Sequence, residues 1–280
     1  MQLQQQIDRL FVDQRKAWPA LDDAIVGMGN AQTKRLNWGS EIEVEIQYNP
    51  DRIVSVASKV DAQSIQQRPC FLCADNRPAV QEGIEFLNKY IILTNPFPIL
   101  QNHLTIALHS HVPQLIGKKV VDMLTLAKEL SDYVVFYNGA KAGASAPDHF
   151  HLQAGLKNPI LMAGDNELRS CLTIQSESKS EVADLFYEVV YFLESFEPDA
   201  QEPSMNIIAF YEDNRYHLHI YPRKQHRPIQ YTLEGVQQIL VSPGAVDIAG
   251  LIITPRLEDF EKIKKEDVED IYQQVSRQII

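Results

Sequence analysis

The segment best equipped for chemistry is Gly143-Ala-Ser-Ala-Pro-Asp-His-Phe-His-Leu-Gln-Ala-Gly155. Side chains alternate between the faces of a strand, so a strand here presents His149, His151 and Gln153 on one face and Phe150 and Leu152 on the other. An imidazole in the middle of such a row can attack phosphorus through one ring nitrogen, while an acceptor on the other fixes the tautomer and stabilises the cation that forms. The same His-x-His pair also fits half of a metal site, or two half-exposed polar residues. A second cluster is Cys70-Phe-Leu-Cys73, in a stretch whose Pro, Asn and Asp content marks a loop or knuckle. Cys-x-x-Cys serves metal binding or redox exchange. Further along lie His109-Ser-His111, His217-Leu-His219 and a basic stretch of Arg223, Lys224, His226 and Arg227.

These groups require a mixed scaffold. Leu3, Ile7, Leu10, Phe11, Leu21 and Ile25 fall at helical spacing, and Pro19 divides that run into two short helices. From Glu41 to Tyr48 apolar and polar residues alternate, which predicts a strand with one wet face, ended by the turn Asn49-Pro50-Asp51. Strands are also expected at Tyr90–Thr94, His103–Leu108, Val134–Tyr137, His149–Gln153, Asn206–Tyr211, Tyr216–Tyr221 and Leu251–Thr254. Helices are expected over 118–133, over Glu181–Phe196, and from about Leu257 to Val275. Asn138 to Asp148 is a loop of small residues. The mixture indicates an α+β or α/β architecture.

Composition narrows the function. The chain has 280 residues, 45% of them hydrophobic, enough for a sizeable core. A formal net charge of −11 disfavours a general nucleic-acid binder, although a cleft with a local cluster of Arg and Lys still attracts a small anion. No apolar run approaches a membrane span, and the start has no secretory core. Three cysteines, two of them in one Cys-x-x-Cys pair, do not form a disulfide framework. The expectation is a soluble cytoplasmic protein.

His149-Phe-His-Leu-Gln153, preceded by the small-residue loop and by Tyr137-Asn138, resembles the active-site motif of the histidine-triad superfamily. Its His-x-His-x-Gln form is similar to that of the transferase and phosphorylase branch, which includes the galactose-1-phosphate uridylyltransferases, the diadenosine tetraphosphate phosphorylases and the GDP-L-galactose phosphorylases. The resemblance implies an α+β, histidine-triad-like fold of two repeats whose antiparallel sheets form a pseudo-dimer. Residues 1–67 would be a helical extension with the first strand, 68–165 the repeat with the active site, and 166–280 a degenerate repeat closing in a helix.

It also implies roles. His151 would be the nucleophile that takes up a nucleoside monophosphate, and Gln153 would donate to the phosphoryl oxygen. Asn95, Phe97 and Asn138 would line the nucleotide pocket. Zinc, in a structural role, would bind Cys70, Cys73, His111 and His149, with His109 competing against His111. Gln in place of a third His favours transfer or phosphorolysis over hydrolysis. The resemblance would set Ser145 against a phosphate, although the loop before His149 differs in length from that of the relatives. On chemical grounds Lys141 and the backbone amides of Gly143 to Ser145 are expected phosphate donors, and Arg223 suits a β-phosphate or acceptor. The expected partners are a nucleotide or nucleotide-sugar substrate and a phosphate-type acceptor. Two alternatives stand beside this reading: a metal-dependent hydrolase on His149, His151, His217 and His219, and a non-catalytic nucleotide- or zinc-binding protein.

Overall fold

The structure is a computed structural model and describes residues 2–39, 42–56, 61–164 and 167–279. Its strands are β1 Gln32–Trp38, β2 Ile42–Tyr48, β3 Gly83–Phe86, β4 Tyr90–Thr94, β5 Leu104–Leu108, β6 Tyr133–Asn138, β7 His151–Leu156, β8 Leu172–Ser176, β9 Met205–Glu212, β10 Arg215–Pro222 and β11 Leu251–Thr254. Eight form one sheet in the order β3-β4-β5-β7-β6-β9-β10-β8, and every neighbouring pair in it is antiparallel. The earlier five strands and the later three are joined edge to edge through β6 and β9. A separate sheet, β1-β2-β11, ties the two ends of the chain together, β2 and β11 running parallel.

The fold is α+β, with layers on both faces of the large sheet. All six residues of β6 are buried because both of its faces are covered. Val135 and Tyr137 face helices Leu3–Ala17, Val120–Glu129 and Lys179–Glu194, whose Ile7, Phe11, Met123, Leu124, Val182 and Phe186 complete that core. Val134 and Phe136 face the opposite way, into a core shared with Val44, Ile46, Ile252, Val268 and Tyr272 of the small sheet and the C-terminal helix. The same face of β4, β5 and β7 is only partly covered, so Leu93, Thr105, His151 and Gln153 border a cavity.

Several boundaries differ from the sequence reading. The strand expected from His149 begins at His151, because the chain still turns there, the His149 N–H reaching back to the Ala146 carbonyl. Glu41 lies outside the described residues. The closing helix is two, Leu257–Lys262 and Lys265–Val275, since Ile263 takes an extended ψ of 128° and is buried. Edge strands β1, β3 and β8 gave no sequence signal, being mostly exposed or half-buried.

Neutral buried imidazoles make this fold acid-sensitive. Burial, with His217 nearby as the lesser cause, pushes His219 down to about 4. The unfolded value is about 6.5, so below it the unfolded chain binds a proton that the folded chain refuses. The stabilising effect is complete above about pH 6.5 and is lost as pH falls toward 4, at about 1.4 kcal/mol per pH unit for one group. Urea unfolding of His219→Leu is expected to show a shallower loss between pH 6.5 and 4.5 than the wild type. Equal slopes would refute this origin.

Candidate active site

His151 opens β7 opposite Ala107 of β5 and is 3% exposed, yet it borders a cavity of about 670 Å³. Its Nδ1 donates to the His149 carbonyl at 2.9 Å, so Nε2 carries the lone pair. Burial outweighs that hydrogen bond and holds the ring down to about 4, which keeps it neutral near pH 7. Phe150 and Leu152 point into the helix-covered core, as strand alternation requires.

Gln153, two positions on, borders the same cavity. Its Oε1 accepts from His103 Nε2 at 2.9 Å, while His103 Nδ1 accepts the Ile99 N–H at 3.2 Å. The two contacts specify one tautomer of His103 and turn the Gln153 carboxamide so that its NH2 end is left to donate. Burial pushes His103 down to about 3, so it stays neutral and keeps this role across ordinary pH. His103 was not marked by the sequence as a site residue.

The cavity wall is cationic in an acidic protein. Arg52, Arg68 and Arg227 border it with His226 and Ser242, against Asp247 as the sole acidic residue among the described ones. Arg68 pairs with Asp148 at 2.9 Å. Arg227 donates to Ser242 Oγ and to the Val56 carbonyl, both at 3.0 Å. Low-dielectric walls concentrate the field of such groups on a bound anion.

The other expected residues divide. Asn95 borders the cavity, but its side chain accepts from the Phe97 N–H and donates to Thr105 Oγ1, so it shapes the turn that presents Phe97 at the rim. Asn138 lines the floor and accepts from Asn206 Nδ2 and the Ala245 N–H, tying the two halves together. Ser145 borders the cavity as well. Gly143 has φ +96° and its backbone presses on the later half, where a Cβ would lie 2.7 Å from Gly244 Cα. Lys141 lies elsewhere, in a smaller cleft with Lys224 and Gln225.

Arg223 requires correction as a phosphate ligand. It is 0% exposed and does not border the cavity; its guanidinium donates to Asn206 Oδ1 and to the carbonyls of Pro243, Val275, Gln225 and His226. A cation so enclosed is a structural cross-link. The members of that basic stretch that border the cavity are His226 and Arg227.

The cysteines form a second cluster beside the first. Cys70 Sγ lies 3.3 Å from His149 Nδ1, Cys73 Sγ lies 3.5 Å from the same atom and 3.2 Å from His111 Nδ1, and all four donors fall within 4.8 Å of one another. Bonds of about 2.3 Å to sulfur and 2.0 Å to nitrogen set neighbouring donors of a tetrahedral ion roughly 3.3–3.8 Å apart, so the set fits zinc. His149 Nε2 donates to the Leu108 carbonyl at 2.7 Å, so in the neutral ring the proton stays on Nε2 and Nδ1 is the atom that can ligate a metal. Burial raises the Cys70 thiol, but the His149 hydrogen bond and the backbone donors outweigh it and pull it to about 6. His109 pairs with Glu85 at 2.8 Å and is not part of the cluster. His217 stacks on Phe210, and neither it nor His219 joins a metal-binding group or borders the cavity among the described residues.

An antiparallel α+β sheet that presents an uncharged imidazole to a cationic cleft defines the class to which known proteins can be compared. Residues 10–156 match the family model described as a domain of unknown function, DUF4922, and the chain belongs to that family. The fold is shared with yeast Ap4A phosphorylase Apa2, at a TM-score of 0.64 and 15% identity over 93% of this chain and 97% of that one. The same enzyme in complex with AMP gives 0.62 and 17% over 92% and 95%, and in complex with Ap4A gives 0.60 and 15% over 92% and 96%. No curated protein matches the chain significantly.

Proposed function

We propose that this protein is a nucleotide phosphorylase or nucleotidyltransferase that acts on a dinucleoside polyphosphate or nucleoside diphosphate sugar. The observation that carries the reading is His151, neutral and oriented by the His149 carbonyl, at the floor of a cavity bordered by three arginines. A cavity of about 670 Å³ is in the range that encloses a nucleotide-sized ligand. The shared fold of an enzyme whose structures hold AMP and Ap4A supports the same reading.

In the first half-reaction His151 Nε2 attacks the α-phosphorus, a P–N bond forms, and the P–O bond to the remainder of the substrate breaks. That remainder leaves with the bonding pair. In the second, an oxygen of inorganic phosphate attacks the same phosphorus, the P–N bond breaks and a nucleoside diphosphate departs. Each step is an in-line displacement, and the imidazole is regenerated. Gln153 donates to the phosphoryl oxygen, and Arg52, Arg68 and Arg227 hold the negative charge. We assign zinc to Cys70, Cys73, His111 and His149; when bound it would cross-link the knuckle, and no displacement passes through it.

Intact mass spectrometry after incubation with Ap4A and a panel of nucleoside diphosphate sugars tests this. A nucleoside monophosphate adduct on the wild type and none on His151→Asn is the expected result. An unmodified wild type with every substrate would remove the reading.

The link between His103 and Gln153 adds a separate expectation. His103→Gln retains a donor near the Nε2 position, whereas His103→Asn retains only an acceptor near Nδ1. Adduct formation is expected to fall roughly 10- to 100-fold in the Asn variant and much less in the Gln variant. Equal rates in stopped-reaction assays would show that the orientation of Gln153 does not depend on this contact.

A further inference from the structure

We infer that Gln114 is the positioning residue for the nucleophile, an inference that rests on the functional reading above. The β6–β7 ladder ends at Phe136 opposite Gln153, and two register steps further Asn138 would face His151. The strands do not pair there. The carboxamide of Gln114, wholly buried, fills the gap: Nε2 donates to the carbonyls of both Asn138 and His151 at 2.9 Å, and Oε1 accepts the His151 N–H at 2.8 Å.

Gln114 is itself fixed on both sides of its main chain. Its N–H donates to the Pro147 carbonyl at 3.1 Å, and its carbonyl accepts from the Tyr137 hydroxyl at 2.9 Å. One residue therefore joins the end of β6, the start of β7 and the loop that carries Ser145. A side chain used as a strand rung holds the two strands further apart than direct pairing does. Asn138 and Ser145 border the cavity on one side of the wedge and His151 on the other. The width of this wedge sets where the imidazole stands relative to a phosphorus atom bound against the loop. An error of about 1 Å in such a placement can lower a rate roughly 100-fold without loss of binding.

Gln114→Met keeps the length and removes all three contacts; Gln114→Glu keeps the acceptor and sets lone pairs against two carbonyls. The measurements are the single-turnover rate of adduct formation from Ap4A, the AMP dissociation constant, and hydrogen exchange of the His151 amide. Gln114→Met is expected to slow adduct formation roughly 100-fold, to leave AMP affinity within about threefold, and to expose the His151 amide to exchange. If Gln114→Met does not fold, Gln114→Glu is read in its place. A rate within threefold of wild type, or rate and AMP affinity falling in parallel as a general loss of structure would produce, overturns the inference. Unchanged exchange at His151 also overturns it. A wild type that forms no adduct overturns the functional reading, and that outcome is recognised before any variant is compared.

Discussion

A His151→Asn variant is expected to turn over Ap4A on the order of 10⁴-fold more slowly than wild type, while its affinity for AMP changes only a few-fold. Two physical facts set this asymmetry. In the proposed reading Arg52, Arg68 and Arg227 hold the anionic end of the substrate; Arg68 is positioned by Asp148 and Arg227 by Ser242 and the Val56 carbonyl, so ground-state binding should survive. The chemistry does not survive, because the two-step route needs a neutral nitrogen at the phosphorus and a carboxamide is a poor nucleophile. Any residual reaction would have to be direct attack by inorganic phosphate. A single displacement inverts configuration at phosphorus and a double displacement retains it, so a chiral thiophosphate substrate separates the two. Turnover of the variant within tenfold of wild type, or inversion by the wild type, would exclude the phosphohistidine.

What the sequence revealed and what it hid follow from how local each signal is. His151, Gln153 and Phe150 were readable because strand alternation alone determines which of them share a face. Cys70, Cys73, His111 and His149 came together only through the family resemblance, since Cys-x-x-Cys alone also fits redox exchange, and the structure gathers those four donors into one cluster. The role of Arg223 was not, since its partners Asn206, Pro243 and Val275 come from distant elements and decide that the cation is enclosed. His103 and Gln114 escaped for the same reason: each acts through a contact to a strand 37 or more residues away. Arg52 lies in the turn after β2, where an arginine carries no marker of function. Strands β1 and β8 were missed because a mostly solvated edge has no hydrophobic period to read.

The cysteine cluster gives the second large effect. One zinc per chain is expected by elemental analysis, and chelation or Cys73→Ser is expected to lower the melting temperature by roughly 10 °C, corresponding to about 4 kcal/mol in a domain of this size. The metal would be reachable, because Cys73 is only half-buried and His111 is exposed. Its loss should act on binding before chemistry. Arg68, Phe71, Leu72 and Asn76 all border the cavity and all lie on the segment that Cys70 and Cys73 anchor. Without the cross-link that wall loses its anchor to β5 and β7, and KM for Ap4A should rise. His151 keeps two supports that do not involve the metal, its pairing with β5 and the carboxamide of Gln114, so kcat should fall less. Purified protein free of zinc, with melting and KM unchanged by chelator, would mean that the four donors are a packed set of side chains and not a metal site.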